Sequence, residues 1–144
     1  MPKKKPVRKP FSPRNHASND AIGKKAVLDY LHSIHIPAEE NPDKYGIDLI
    51  VPGYSITYEV EHRIIWKDEW PHSTVHIPER KSKFMKDKMI YAVVNKDCTK
   101  IMFCRSEVIR KYKPVEVPNK AVSKGEHFYD VPLQLWTIRS VAND

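Results

Sequence analysis

The sequence predicts an α/β fold in which a mixed sheet is flanked by helices. Three observations carry this. Val27, Tyr30, Leu31 and Ile34 recur at helical spacing near the N-terminus. Residues 55–62 alternate with period two, with Ile56, Tyr58 and Val60 on one side and Thr57, Glu59 and Glu61 on the other. Residues 89–94 form an uninterrupted apolar run, suited to a strand buried on both faces.

The elements follow in order. Ser18 or Asn19 is placed to cap a helix over residues 18–34, with Asp20 in its first turn and Pro37 ending it. Gly23 weakens that helix by roughly 1 kcal/mol relative to alanine. Asp48 opens a short apolar strand, Leu49-Ile50-Val51, and Pro52-Gly53 signals the turn into the alternating strand. Residues 64–76 read as an insertion holding Trp66, Trp70, His72 and His76, and residues 79–88 as a basic helix or turn. Strands are expected over residues 89–94 and 100–104, joined by the Asn95-Lys96-Asp97 turn. Ser106 then caps a helix over residues 107–112. A last strand is expected around Phe128-Tyr129 and residues 133–138. The expected order is α-β-β-(insertion)-β-β-α-β, without internal repeats.

Length and charge bound the function. A chain of 144 residues is expected to form one domain, over residues 18–144, behind a basic tail over residues 1–17. The chain carries 25 Lys and Arg against 18 Asp and Glu, a net +7. Lys3, Lys4, Lys5, Arg8, Lys9 and Arg14 lie in the tail; without these six, 19 basic residues face 18 acidic ones. Pro2, Pro6, Pro10 and Pro13 argue against regular structure there. Such an arm gains affinity for phosphates through counterion release, or serves only solubility. Its PKKKPVRK string also looks like a nuclear localisation signal. No apolar stretch reaches the ~20 residues of a membrane span, and no secretory signal is visible. Cys98 and Cys104 alone make a poor disulfide framework, so a reducing compartment, the cytoplasm, is expected.

The chemistry centres on YGIDLIVPGYSITYEVEHR, residues 45–63. A strand rises about 3.3 Å per residue, so Glu59 and Glu61 stand roughly 6–7 Å apart on one side. If the two strands pair as a hairpin, Asp48 lies beside them. Three carboxylates on a rigid sheet attract a hard divalent cation such as Mg²⁺. The competing reading of the glutamates is a solvated strand face, and of Asp48 a turn-capping residue. Against the first, like charges on one face repel and glutamate is depleted in strands.

This pattern resembles the PD-(D/E)xK nuclease superfamily, which includes restriction endonucleases and junction resolvases. The family places an aspartate at the start of one strand and (D/E)-x-K on the next. Here it reads Ile47-Asp48, ten residues of spacer, then Glu59-Val60-Glu61. No proline precedes Asp48, and Glu61 stands where the family has lysine. Some members carry glutamate there, and in others the lysine has moved to a nearby helix. Arg80, Lys81 and Lys83, in PERKSKF, are placed to be such a migrated cation. The resemblance covers residues 18–113.

It implies a restriction endonuclease-like core and a metal-dependent DNA endonuclease. Mg²⁺ or Mn²⁺ would be held by Asp48 and Glu59 with the Val60 carbonyl. Glu61 would orient a water or act as base, and Lys81 or Lys83 would stabilise developing charge. Arg63, Arg80, Lys86 and Lys88, with Lys3, Lys4, Lys5, Arg8 and Lys9 of the tail, are the expected nucleic-acid contacts. The expected partner is duplex or branched DNA, homodimerisation follows by analogy, and a small phage or mobile-element protein acting in a host cytoplasm would fit. The alternative is a non-catalytic nucleic-acid-binding protein on a nuclease-like fold, which the missing lysine keeps open.

Other chemistries find less support. Zinc could draw on His72 and His76 with His62, Cys98 or Cys104, but Pro71 and β-branched Thr74-Val75 disfavour the helix that would align the histidines. No G-x-S-x-G elbow and no glycine-rich phosphate loop is present among four glycines. Trp66 and Trp70 either close the edge of the core or stack on unpaired bases.

Deleting residues 1–14 is expected to weaken DNA affinity and flatten its salt dependence, because six cations leave with the segment. Binding titrations across a salt series check this, and an unchanged slope would show the tail to be a bystander.

Overall fold

The computed structural model describes residues 13–86, 88–119 and 122–141, so the cations at Lys3, Lys4, Lys5, Arg8 and Lys9 lie outside the described residues. The chain begins with α1 (Pro13–Ser33), followed by β1 (Glu39–Glu40), β2 (Leu49–Ile50) and β3 (Ile56–Arg63). Next come β4 (Thr74–Pro78), a 3₁₀ helix (Glu79–Phe84), β5 (Lys88–Asn95) and β6 (Lys100–Arg105). The remaining elements are α2 (Ser106–Ile109), β7 (Val115–Asn119), β8 (Val122–Pro132), a 3₁₀ turn (Leu133–Leu135) and β9 (Thr137–Ser140). This is a mixed α and β architecture built on a mixed sheet. Among the described residues, no helix is long and apolar enough to cross a membrane.

Among the described residues, six strands make the main sheet, in the order β1-β2-β3-β5-β6-β9. Every neighbour pair is antiparallel except β3 and β5, which run parallel from Ile56↔Lys88 to Arg63↔Asn95. β5 alternates between two cores, as its apolar run requires. Ala92 and Val94 join Val27, Leu31, Tyr58 and Ile101 beneath α1. Met89, Tyr91 and Val93 join Val75, Ile77, Tyr129 and Val131 on the opposite side. The latter four come from a second sheet, β4-β8-β7, additional to the single sheet expected from sequence.

Several expectations are corrected. α1 begins at Pro13, so Ser18 and Asn19 lie inside the helix. Pro at the first helical position costs nothing, since its missing N–H would have no intrahelical partner. The helix ends before Pro37. His35 takes a left-handed φ of 66°, and the Ile36 N–H reaches back to the Leu31 carbonyl at 2.9 Å, a Schellman closure. Ile34 therefore falls beyond the helix and is exposed, while Val27 and Leu31 are buried as the stripe predicts. The insertion contains β4, and residues 79–88 hold a 3₁₀ helix rather than an α-helix. Ser106 is the first residue of α2, not its cap. The last strand divides into β8 and β9 around the 3₁₀ turn, and β7 is additional.

Two glycines have definite work. Pro52-Gly53 occupies the centre of the β2–β3 turn, closed by Tyr54 N–H to the Val51 carbonyl at 3.0 Å, and φ of +83° at Gly53 matches the type II position. Gly23 lets α1 lie directly on β3, since a Cβ there would stand 2.9 Å from the His62 Cβ. Gly23→Ala gains about 1 kcal/mol of helix propensity and loses more to overpacking, typically 1–3 kcal/mol. Chemical denaturation is expected to show a net loss of about 1 kcal/mol; a raised midpoint would mean that α1 shifts freely on the sheet.

Candidate active site

Antiparallel pairing of Leu49 with Tyr58 places Asp48 opposite Glu59, one residue beyond the end of β2. There the Asp48 side chain replaces the main-chain ladder. Its Oδ2 accepts the Val60 N–H at 2.8 Å, and its own N–H lies 3.3 Å from Glu59 Oε1. The aspartate is held from behind by the Asn41 N–H, which bonds the Asp48 carbonyl at 3.0 Å, and by Asn41 Nδ2 on the Ile47 carbonyl at 2.9 Å. The N–H and C=O of one strand residue leave on the same edge, so the Val60 carbonyl faces the edge where the Asp48 carboxylate lies.

Glu59 is not on a solvated face. It is 2 % exposed, because β3 turns it toward the core that the second sheet covers. Lys81, from the 3₁₀ helix after β4, places its ammonium 2.6 Å from Glu59 Oε2. Lys24, from α1, stands 3.3 Å from Asp48 Oδ1. Burial, then the nearby Asp48 charge, pushes the Glu59 pKa up to about 7, against the opposing pull of Lys81. Neutralising it by protonation is thus nearly isoenergetic with keeping it ionised near neutral pH.

Glu61 points to the same side of β3 but belongs to a different network. It accepts Arg63 Nε at 2.8 Å and Nη2 at 3.2 Å, and the Tyr91 hydroxyl donates to it at 2.9 Å. Burial, then Glu61, raises the Tyr91 pKa, so this phenol keeps its proton and remains a donor. An open cleft of about 480 Å³ joins the two networks, lined by Asp48, Val60, Glu61, Arg80, Lys81 and Tyr91.

Asp48, Glu59, Val60, Glu61 and Lys81 are therefore gathered, with Arg80 on the rim. Lys83 is not: its ammonium lies 4.9 Å over the Phe84 ring. On a 3₁₀ turn the two lysines leave in different directions, and the inward one is Lys81. Arg63, expected at a phosphate, is committed to Glu61, to the His76 carbonyl and to the Trp70 ring at 5.1 Å. Lys86 and Lys88 are exposed and do not line the cleft. Trp66 is 1 % exposed and packs edge-to-face on Trp70, which settles it in the core. His76 pairs with Asp130, and His62 lies against the Asn19 and Asn95 carbonyls, so they face different partners.

Lys24 and Tyr91 were missed. Lys24 sits in a helix whose spacing gives no link to a strand 24 residues on. Tyr91 carried a weak signal, the one polar tip in the β5 run.

The donor set suits a hard divalent cation in part. Two carboxylates and a main-chain carbonyl are oxygen ligands of the kind Mg²⁺ takes, with water and phosphate completing its shell. Lys24 and Lys81, one on each carboxylate, mark a place where positive charge is drawn. Glu61 stays apart, and among the described residues no three His, Cys, Asp or Glu side chains converge as a ligand group. No protein-family model and no curated protein matches the chain.

The raised Glu59 pKa has a definite sign. The folded protein holds this proton more tightly than the unfolded chain, so the stability it contributes is full below about 4.5, the ordinary value, and lost as pH rises through about 7. Melting curves between these limits are expected to show wild type losing stability relative to Glu59→Gln, and Lys81→Met losing more than wild type. Parallel pH profiles for wild type and Glu59→Gln would show that Glu59 titrates normally.

Proposed function

We propose that the protein is a metal-dependent DNA endonuclease of the PD-(D/E)xK type, on a restriction endonuclease-like core, with its missing strand lysine supplied by Lys81. The observation that carries this is the 2.6 Å contact of Lys81 with Glu59 beside the Asp48–Val60 bond. A cation reaches the strand carboxylate from a separate element, as the Glu59-Val60-Glu61 pattern requires. The parallel β3–β5 pair within an otherwise antiparallel sheet, and helix α1 across one face, support the same reading.

Asp48, Glu59 and the Val60 carbonyl would hold Mg²⁺ or Mn²⁺, which when bound polarises a phosphate and lowers the pKa of an attacking water. Glu59 must be ionised to serve, and its pKa near 7 sets that requirement in the neutral range. Lys81 stabilises charge developing on the phosphate. Glu61, held by Arg63 and Tyr91, orients water from two residues along the same strand. Arg80, which reaches only weakly to Glu126 at 3.8 Å, contacts the DNA backbone at the rim.

The second reading, a binding protein without catalysis, draws on Glu61, whose carboxylate is already engaged by Arg63 and Tyr91. Cleavage assays on plasmid, linear and branched DNA with Mg²⁺, Mn²⁺ or EDTA separate the two.

Asp48→Ala and Glu59→Ala are each expected to abolish cleavage and leave DNA binding near normal or slightly tighter, because a carboxylate repels phosphate. Lys81→Ala should lower the single-turnover rate roughly 10²–10³-fold with a smaller effect on binding. Lys83→Ala should keep the wild-type rate. Wild-type rates for Glu59→Ala, or equal rates for the two lysine variants, would remove these residues from the chemistry.

A further inference from the structure

β3 ends in a β-turn, Arg63-Ile64-Ile65-Trp66, closed by the Trp66 N–H on the Arg63 carbonyl at 3.1 Å. Two isoleucines fill its central positions, where turns ordinarily take Gly, Pro, Asn, Asp or Ser. Both side chains stay largely in solvent in the folded chain: Ile64 is 50 % and Ile65 67 % exposed. A lone exposed isoleucine is ordinary, whereas an adjacent pair at a turn tip offers a contiguous apolar spot to a partner.

The tip is held from both ends. Arg63 is fixed by Glu61 and the His76 carbonyl, and Trp66 is buried, with its own carbonyl accepting the Lys96 N–H at 2.8 Å. Ile64 also lines the cleft that contains Asp48, Glu61, Arg80 and Lys81. An apolar tip held at both ends thus stands beside a cleft that is lined by Arg80 and Lys81 together with Asp20, Asp48 and Glu61.

We propose that the Ile64–Ile65 turn is a wedge that enters a base step of duplex DNA and unstacks it, favouring DNA in which that step is already loosened by a mismatch or branch. This rests on the nuclease reading of the cleft. Apolar side chains inserted between base steps unstack and kink a duplex, and unstacking is least expensive where pairing is already broken. Of the other candidates for stacking in this segment, Trp66 is buried in the core, and Trp70 is half-buried against it with the Arg63 guanidinium over its ring. Along β3, Ile64 lies five residues past Glu59, roughly 16 Å at the strand rise. That span equals about five base steps of B-DNA, so the unstacked step falls within that distance of the scissile phosphate.

The test uses the full chain in EDTA, so that DNA stays intact, and short duplexes carrying one 2-aminopurine at successive positions. Binding is measured first, by anisotropy on the same duplexes. Wild type is expected to raise 2-aminopurine fluorescence several-fold at one or two adjacent positions. Ile64→Ser/Ile65→Ser should abolish that rise and weaken binding roughly 10-fold, about the loss of one stacked base. Ile64→Leu/Ile65→Leu should restore both, and Ile138→Ser, on exposed β9, should change neither. A mismatch at the responsive step should tighten wild-type binding and leave the serine variant unmoved. Binding with a flat fluorescence profile, or the same profile in the serine variant, overturns the wedge and leaves the nuclease reading intact. No DNA binding by wild type overturns both. A serine variant that alters sedimentation but not fluorescence overturns the wedge in favour of contact between copies of the chain.

Discussion

Parallel pairing of β3 with β5 governs how this site is assembled. Antiparallel neighbours can be joined by a tight turn, but parallel ones force the chain to cross over one face of the sheet. The crossover here starts at the Ile64–Ile65 turn, buries Trp66, lays down β4 in a second sheet and ends in the 3₁₀ helix that carries Lys81. It passes over the face onto which Glu59 and Glu61 project. The register from Ile56↔Lys88 to Arg63↔Asn95 thus fixes, in one stroke, the carboxylates, their cation and the turn at the cleft wall.

Covering that face has an electrostatic consequence. Removing a carboxylate from water costs several kcal/mol unless partners compensate. Glu59 finds Lys81 and the Asp48 N–H, yet Asp48 itself works against its ionisation. Two carboxylates drawn together, each with one lysine, form a balanced arrangement that further positive charge would relieve. Glu61 is handled differently, by a planar guanidinium and a phenol that satisfy both its oxygens. One strand therefore carries a carboxylate left partly uncompensated and another fully tied, two residues apart.

α1 contributes from the opposite face. Its close approach at Gly23 brings Lys24 to the open end of β2, where Asp48 stands outside the regular ladder. The helix that covers one core thereby also brings a cation to Asp48.

Local pattern alone made much of this legible. Period two put Glu59 and Glu61 on one side of β3, Pro52-Gly53 located the turn that sets Asp48 opposite Glu59, and the apolar run of β5 required burial on both faces. These follow from backbone geometry within a few residues. The remainder needed contacts distant in sequence. Whether the glutamate side is wet or buried was decided by β4 and β8, which lie more than 40 residues apart. Lys81 was chosen over Lys83 by the pitch of a 3₁₀ turn, and Trp66 over its isoleucine neighbours by a β-turn that resets the strand's alternation. Lys24 reached Asp48 only because a helix without a side chain at position 23 can lie flat on the sheet. Sequence by itself determined which residue types lie on which side of each strand, because that is a property of the repeat. Tertiary structure decided which side meets water and which cation meets which carboxylate, because those depend on what the rest of the chain places opposite.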